Sequence, residues 1–215
     1  MITKRIIDEK GIDQTEDTVL VLGYFDGLHK GHQALFEKAR EIADKQGLKI
    51  AVMTFPESPK LAFVRYQPEL MLHLASPEDR MAQLENLGVD YLYLIDFTSH
   101  FAGNTARDFF EKYVSRLRAK AVVAGFDYHF GSDRKESHEL RDYFNGKIVI
   151  VPSVNLDNRK ISSTRIRETI AVGDMLKTQE LLGYPLSTRG IVVHGNARGR
   201  TIGYPTANLA PLDRV

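Results

Sequence analysis

Ten residues near the amino terminus concentrate the groups best suited to chemistry: Gly23-Tyr-Phe-Asp-Gly-Leu-His-Lys-Gly-His32. The three glycines permit positive φ and a close approach of backbone to ligand. His29 and His32 stand one helical turn apart, so at a helix start both imidazoles can face one anion. The free N–H groups of a first helical turn attract phosphate in the same place. A lone histidine at a helix start is ordinarily a surface or capping residue. Two of them framed by glycines after a buried strand point instead to an anion site. Metal binding by the pair is the alternative, and no third ligand lies at a suggestive spacing. The segment matches neither the P-loop, which needs Lys-Ser/Thr after its last glycine, nor the dinucleotide-binding glycine pattern.

Such a turn has to be held by a strand before it and a helix after it. Apolar, β-branched runs at 18–23, 48–55, 91–95, 121–124 and 147–151 are short and nearly continuous, as strands buried on both faces are. Helical spacing fills residues 31–45, 77–87, 105–118 and 136–144, with Leu35, Ala39, Ile42 and Ala43 on one apolar face of the first. This alternation predicts an α/β fold, a Rossmann-like doubly wound parallel sheet. Right-handed crossovers bring the carboxyl ends of the strands to one edge, where such sheets bind ligands.

After two more helices, 163–172 and 174–182, the pattern changes. Residues 187–194 alternate like an antiparallel strand, and the stretch 195–211 is punctuated by glycine and proline. We expect one domain over residues 1–184 and the start of a β-barrel domain over 185–215, too short to bury a core by itself.

The 215 residues are 43% hydrophobic, and 29 basic against 28 acidic side chains leave a net charge of +1. No basic footprint for nucleic acid or an anionic membrane follows from that balance. The absence of cysteine excludes disulfides, thiolate metal sites and a cysteine nucleophile. With no signal-like start and no membrane-length apolar run, a cytoplasmic protein is expected.

The segment Gly23–His32 is similar to the His-x-Gly-His signature of nucleotidylyltransferases. In its extended form it resembles the bacterial bifunctional riboflavin kinase/FAD synthetase family at the FMN adenylyltransferase domain. Val122-Val-Ala-Gly-Phe-Asp-Tyr-His-Phe-Gly131 resembles that family's adenine-nucleotide element, and Ile161-Ser-Ser-Thr-Arg-Ile-Arg167 its Ser-Ser-Thr-x-Ile-Arg element. The resemblance implies ATP and FMN as substrates, FAD and pyrophosphate as products, and Mg2+ accompanying ATP. It assigns His29, His32 and Arg167 to catalysis. ATP would be bound by Gly23, Phe25, Asp26, Gly31, Asp127, Ser163 and Thr164. For Ser162-Ser-Thr164 a plain helix cap is the ordinary reading, and both roles can hold together.

Flavin contacts fall on Phe55, Ser58, Pro59, Phe63 and Tyr66, although aromatics at this density are commonly core residues. The family has Thr-Phe-x-Pro-His-Pro where this chain has Thr54-Phe-Pro-Glu-Ser-Pro59, so Ser58 stands in place of a histidine. Residues 190–209 resemble the opening of the riboflavin kinase barrel, which implicates Thr206 and Asn208 in binding magnesium there. The sequence ends at Val215, before that domain's expected catalytic carboxylate, so phosphorylation of riboflavin is not expected of this polypeptide. Two alternatives stay open: an adenylyl- or cytidylyltransferase for another phosphorylated acceptor, and a non-catalytic flavin- or nucleotide-binding remnant.

Overall fold

The structure, a computed structural model, describes residues 1–65 and 71–212. Six strands form the central sheet: β1 (Ile2–Ile6), β2 (Thr18–Leu22), β3 (Lys49–Thr54), β4 (Tyr91–Ile95), β5 (Ala119–Gly125) and β6 (Lys147–Val151). Their spatial order is β1-β4-β3-β2-β5-β6, and every neighbouring pair is parallel. The chain winds outward from β2 through β3 and β4, then returns to β5 on the other side. The switch point of a doubly wound sheet therefore lies between the carboxyl ends of β2 and β5.

The all-apolar run of β2 is explained by its position, since it is buried along its whole length. Leu20 and Leu22 face one core, and Val19 and Val21 the other. On the valine face lie α1 (Lys30–Gln46), through Leu35, Phe36, Ala39 and Ile42, and α2 (Pro77–Asn86), through Leu84. The leucine face is covered by α3 (Ala106–Phe109), which widens into a π-helical stretch over Phe110–Val114. A third, smaller core joins Leu74 and Ile161 to Ile166 of α4 (Ser163–Ala171) and to Leu181 and Leu182 of α5 (Met175–Leu182).

Three details differ from the sequence reading. β1 does not figure in it because Thr3, Lys4 and Arg5 separate its only two apolar residues, Ile2 and Ile6. That composition suits an edge strand, where charge discourages further pairing. Residues 105–118 are not one α-helix. The π turn accompanies the burial of two adjacent pairs, Phe109 with Phe110 and Tyr113 with Val114, against a single sheet face. Residues 136–144 form 3-10 turns over Ser137–Asp142 instead of a helix, with Leu140 as their buried apolar residue.

Beyond α5, Gly183 closes the helix at φ 88°, a left-handed cap that glycine adopts without strain. β7 (Gly190–Val193) then pairs antiparallel with β8 (Asn208–Pro211), leaving Ile191, Val192, Val193 and Leu209 exposed.

Candidate active site

The chain leaves β2 at Gly23 and turns through Phe25, which is buried and left-handed at φ 59°, before α1 begins. A side chain at Gly23 would come within 2.6 Å of the Phe25 ring, so the first glycine of the motif makes room for that aromatic. His29 is the N-cap of α1, its Nδ1 accepting the His32 backbone N–H at 3.3 Å. A ring nitrogen that accepts leaves the hydrogen of a neutral imidazole on the other, so His29 presents Nε2–H as a donor. The two imidazoles stack at 3.7 Å between centroids and 13° between planes. A Cβ at position 31 would lie 3.1 Å from the His29 ring, which explains the glycine between the histidines.

Both histidines are neutral. Burial pulls His29 down to about 4 against the opposing pull of Asp26, and His29 is only 5% exposed. Burial also holds His32 well below the usual range, with further contributions from His29, Arg80 and Lys160. The His32 Nδ1 is buried with no hydrogen-bond partner among the described residues. An uncompensated buried polar atom of this kind is costly and marks a place where a partner belongs.

The pair lines a cleft of about 640 Å³ at the switch point. Gly23, Phe25, Gly31, Asp127, Ser163 and Thr164 line it too, as do Phe55, Ser58 and Pro59. The cleft is of a size that suits a nucleotide. Ser162 caps α4 and Ser163 Oγ reaches the Asp26 carbonyl at 3.3 Å, so a second helix start points toward the same turn.

Among the described residues, five expected ones do not line the cleft. Asp26 and Arg167 do not line the cleft but pair behind the turn at 2.6 Å. Arg167 also donates to the Leu72 carbonyl, and the Asp26 carboxylate accepts the Leu74 N–H. Phe63 is 70% exposed and meets the Phe97 ring edge-on, and Tyr66 lies outside the described residues. On the carboxy-terminal hairpin, Thr206 and Asn208 are exposed and closely approached by glycines. A Cβ at Gly199 would be 3.2 Å from Thr206, and one at Gly195 would collide with Asn208.

Lys160 was not singled out by sequence, although it directly precedes Ile161-Ser-Ser-Thr. It lines the cleft, pairs with Asp127 at 2.5 Å and lies 4.5 Å over the Phe126 ring. Lys160 ends a short antiparallel hairpin, Asn155–Leu156 against Arg159–Lys160, fixed by buried Arg165, which donates to the Leu156 and Arg159 carbonyls. Tyr128 also lines the cleft, its hydroxyl kept protonated by burial. Asp127 is the one carboxylate among the described lining residues, and no described cluster of three or more acidic or histidine side chains could hold a metal. A divalent ion here would have to come with phosphate oxygens supplying its remaining ligands.

The family model described as FAD synthetase matches residues 11–165, and one described as riboflavin kinase matches residues 182–215. A bifunctional riboflavin kinase/FMN adenylyltransferase of Listeria monocytogenes is 40% identical over 89% of this chain and 62% of its own length. The chain thus spans about three fifths of the curated relatives it matches. A solved Streptococcus pneumoniae structure titled a macrolide-efflux protein covers all of this chain and 70% of that one, with 55% identity and a TM-score of 0.95. Among the described residues, no helix is long and apolar enough to cross a membrane. A pantothenate synthetase of Thermus thermophilus shares the fold at a TM-score of 0.50 and 17% identity, covering 90% of this chain and 87% of its own.

Proposed function

Because this chain belongs to the FAD synthetase family, we propose that it transfers the adenylyl group of ATP to FMN, releasing FAD and pyrophosphate. The observation that carries this reading is the stacked, neutral His29–His32 pair on the N-terminus of α1, lining the cleft at the switch point.

The FMN phosphate is already a nucleophile at neutral pH, so no side chain has to be activated. One of its oxygens attacks the α-phosphorus of ATP as the bond to the bridging oxygen breaks, and the electron pair leaves with pyrophosphate. The protein contributes alignment and fixed positive potential. His29 Nε2–H, His32 and the first N–H groups of α1 meet the phosphates as charge builds. Lys160 and the Ser163–Thr164 start of α4 hold the departing pyrophosphate. Asp127 orients Lys160 and, with Phe126, borders the nucleotide. Magnesium bound to ATP as part of that substrate would neutralise phosphate charge. Phe55, Ser58 and Pro59 receive the flavin of FMN. Arg167 and Asp26 keep the phosphate turn in shape from behind.

Incubation of the protein with FMN, ATP and magnesium should yield FAD on chromatography, with one pyrophosphate per FAD. ATP binding without FAD would overturn the reading in favour of another acceptor or a non-catalytic protein. His32→Ala should lower turnover by roughly 10²–10³-fold, the loss expected for one preorganised charge contact, and change FMN affinity far less. Turnover equal to the wild type in that variant would remove His32 from the mechanism.

A further inference from the structure

We propose that His73 is a positioning residue for the FMN-binding loop, joining that loop to the phosphate turn. The inference rests on the reading of residues 54–59 as the flavin wall. His73 is only 9% exposed and comes from the segment before α2, between Leu72 and Leu74. Its Nδ1 lies 3.2 Å from the Tyr24 hydroxyl, and its Nε2 lies 3.1 Å from Glu57 Oε2.

The donor inventory fixes the direction of the bond to Glu57. A carboxylate only accepts, so Nε2 carries the hydrogen toward Glu57, while Nδ1 pairs with the Tyr24 hydroxyl. Tyr24 can donate because burial and the nearby Asp26 charge push its hydroxyl up to about 12. The imidazole therefore links a cleft-lining residue of the β2 turn to the middle of the β3 loop, one residue before Ser58.

The segment carrying His73 is itself anchored to the phosphate turn. Leu72 accepts from Arg167 at 2.9 Å, and Leu74 donates to Asp26 at 2.8 Å. Asp26 and Arg167 thus hold residues 72–74 on both sides of the imidazole. The imidazole in turn holds Glu57. Arg80 secures the root of the same loop by donating to Thr54 Oγ1 and to the Phe55 carbonyl. The loop is thus tied at its root through Phe55 and at its middle through Glu57, and the next residue, Ser58, caps the Pro59–Ala62 turn.

Such a tie acts on the acceptor and leaves the nucleotide contacts alone. His73→Phe keeps the ring volume and removes both hydrogen bonds. It should raise KM for FMN about tenfold, the scale of one lost hydrogen bond to a charged group, with KM for ATP changed less than about twofold. FMN binding, read by quenching of flavin fluorescence, should weaken by the same factor. Glu57→Leu, which removes the acceptor, should shift the same parameter, and the double variant should be no worse than the weaker-binding single one, since both remove one link.

Unchanged FMN binding in a folded variant, equal losses toward both substrates, or additive effects would overturn the proposal. Should His73→Phe fail to fold, Glu57→Leu gives the same readout from a partly exposed side chain. A wild-type protein that makes no FAD would defeat the functional reading itself. A wild-type protein that makes FAD alongside indifferent His73 and Glu57 variants would defeat only this inference.

Discussion

The absence of a side chain at residue 31 is what allows two imidazoles to lie 3.7 Å apart over the start of a helix. Gly31→Ala should therefore separate the rings while leaving α1 intact, because alanine favours a helix more than glycine does. We expect a fall in FAD formation of about tenfold or more, with a urea midpoint no lower than that of the wild type. The pair also fixes how stability depends on pH. The His29 value lies at about 4, below its ordinary 6.5, so between these limits the unfolded chain binds a proton that the folded chain refuses. Stability from the neutral ring is whole above 6.5 and is lost as pH falls toward 4. At pH 5 the loss is about 2 kcal/mol, measurable as a drop in unfolding free energy from its value at pH 7. ATP should reverse part of that loss and take up protons on binding, which calorimetry in two buffers of different ionisation heat would detect. The motif was legible in the sequence because glycine and histidine spacing is local. What Arg167 does was not, since its partners Asp26 and Leu72 are far from it along the chain.

The strands were the most readable elements, since burial on both faces leaves almost no polar residue in β2, β3 or β5. β1 escaped because an edge strand is allowed charge, and the π turn because hydrophobic spacing does not distinguish it from an α-helix. Arg80 shows a further limit. Within α2 its side chain reads as one more charged residue of an exposed helix face. In the fold it is 7% exposed, lies 5.2 Å over the Tyr24 ring and donates to the carboxyl end of β3. Only the packing of α2 against the β2–β3 edge makes it a buried cation. Arg80→Met should leave the Phe55 carbonyl and the Thr54 hydroxyl short of a donor. A loss of about 2–3 kcal/mol in urea unfolding is expected, with weaker FMN binding. A stability equal to the wild type would show that water replaces the guanidinium.

At the scale of the molecule, the doubly wound sheet gathers α1, α4 and the β3 and β5 loops at one edge, so distant segments share one cleft. The β7–β8 hairpin is different, for it exposes Ile191, Val192 and Leu209 with nothing packed over them among the described residues. An open apolar ribbon favours association. Replacing Val192 and Leu209 by lysine should reduce light scattering in concentrated solution while FAD formation stays unchanged. The root of that hairpin is nonetheless bonded to the phosphate turn. Tyr184 donates to the Gly27 carbonyl at 2.5 Å, and Gln33 bridges the carbonyls of Leu28 and Leu182. The seam between the two family matches is therefore latched to the turn that leads into the histidine pair. A protease that cuts after Arg189, just beyond the latch, would report nucleotide occupancy from outside the cleft, cutting more slowly as ligand tightens the latch.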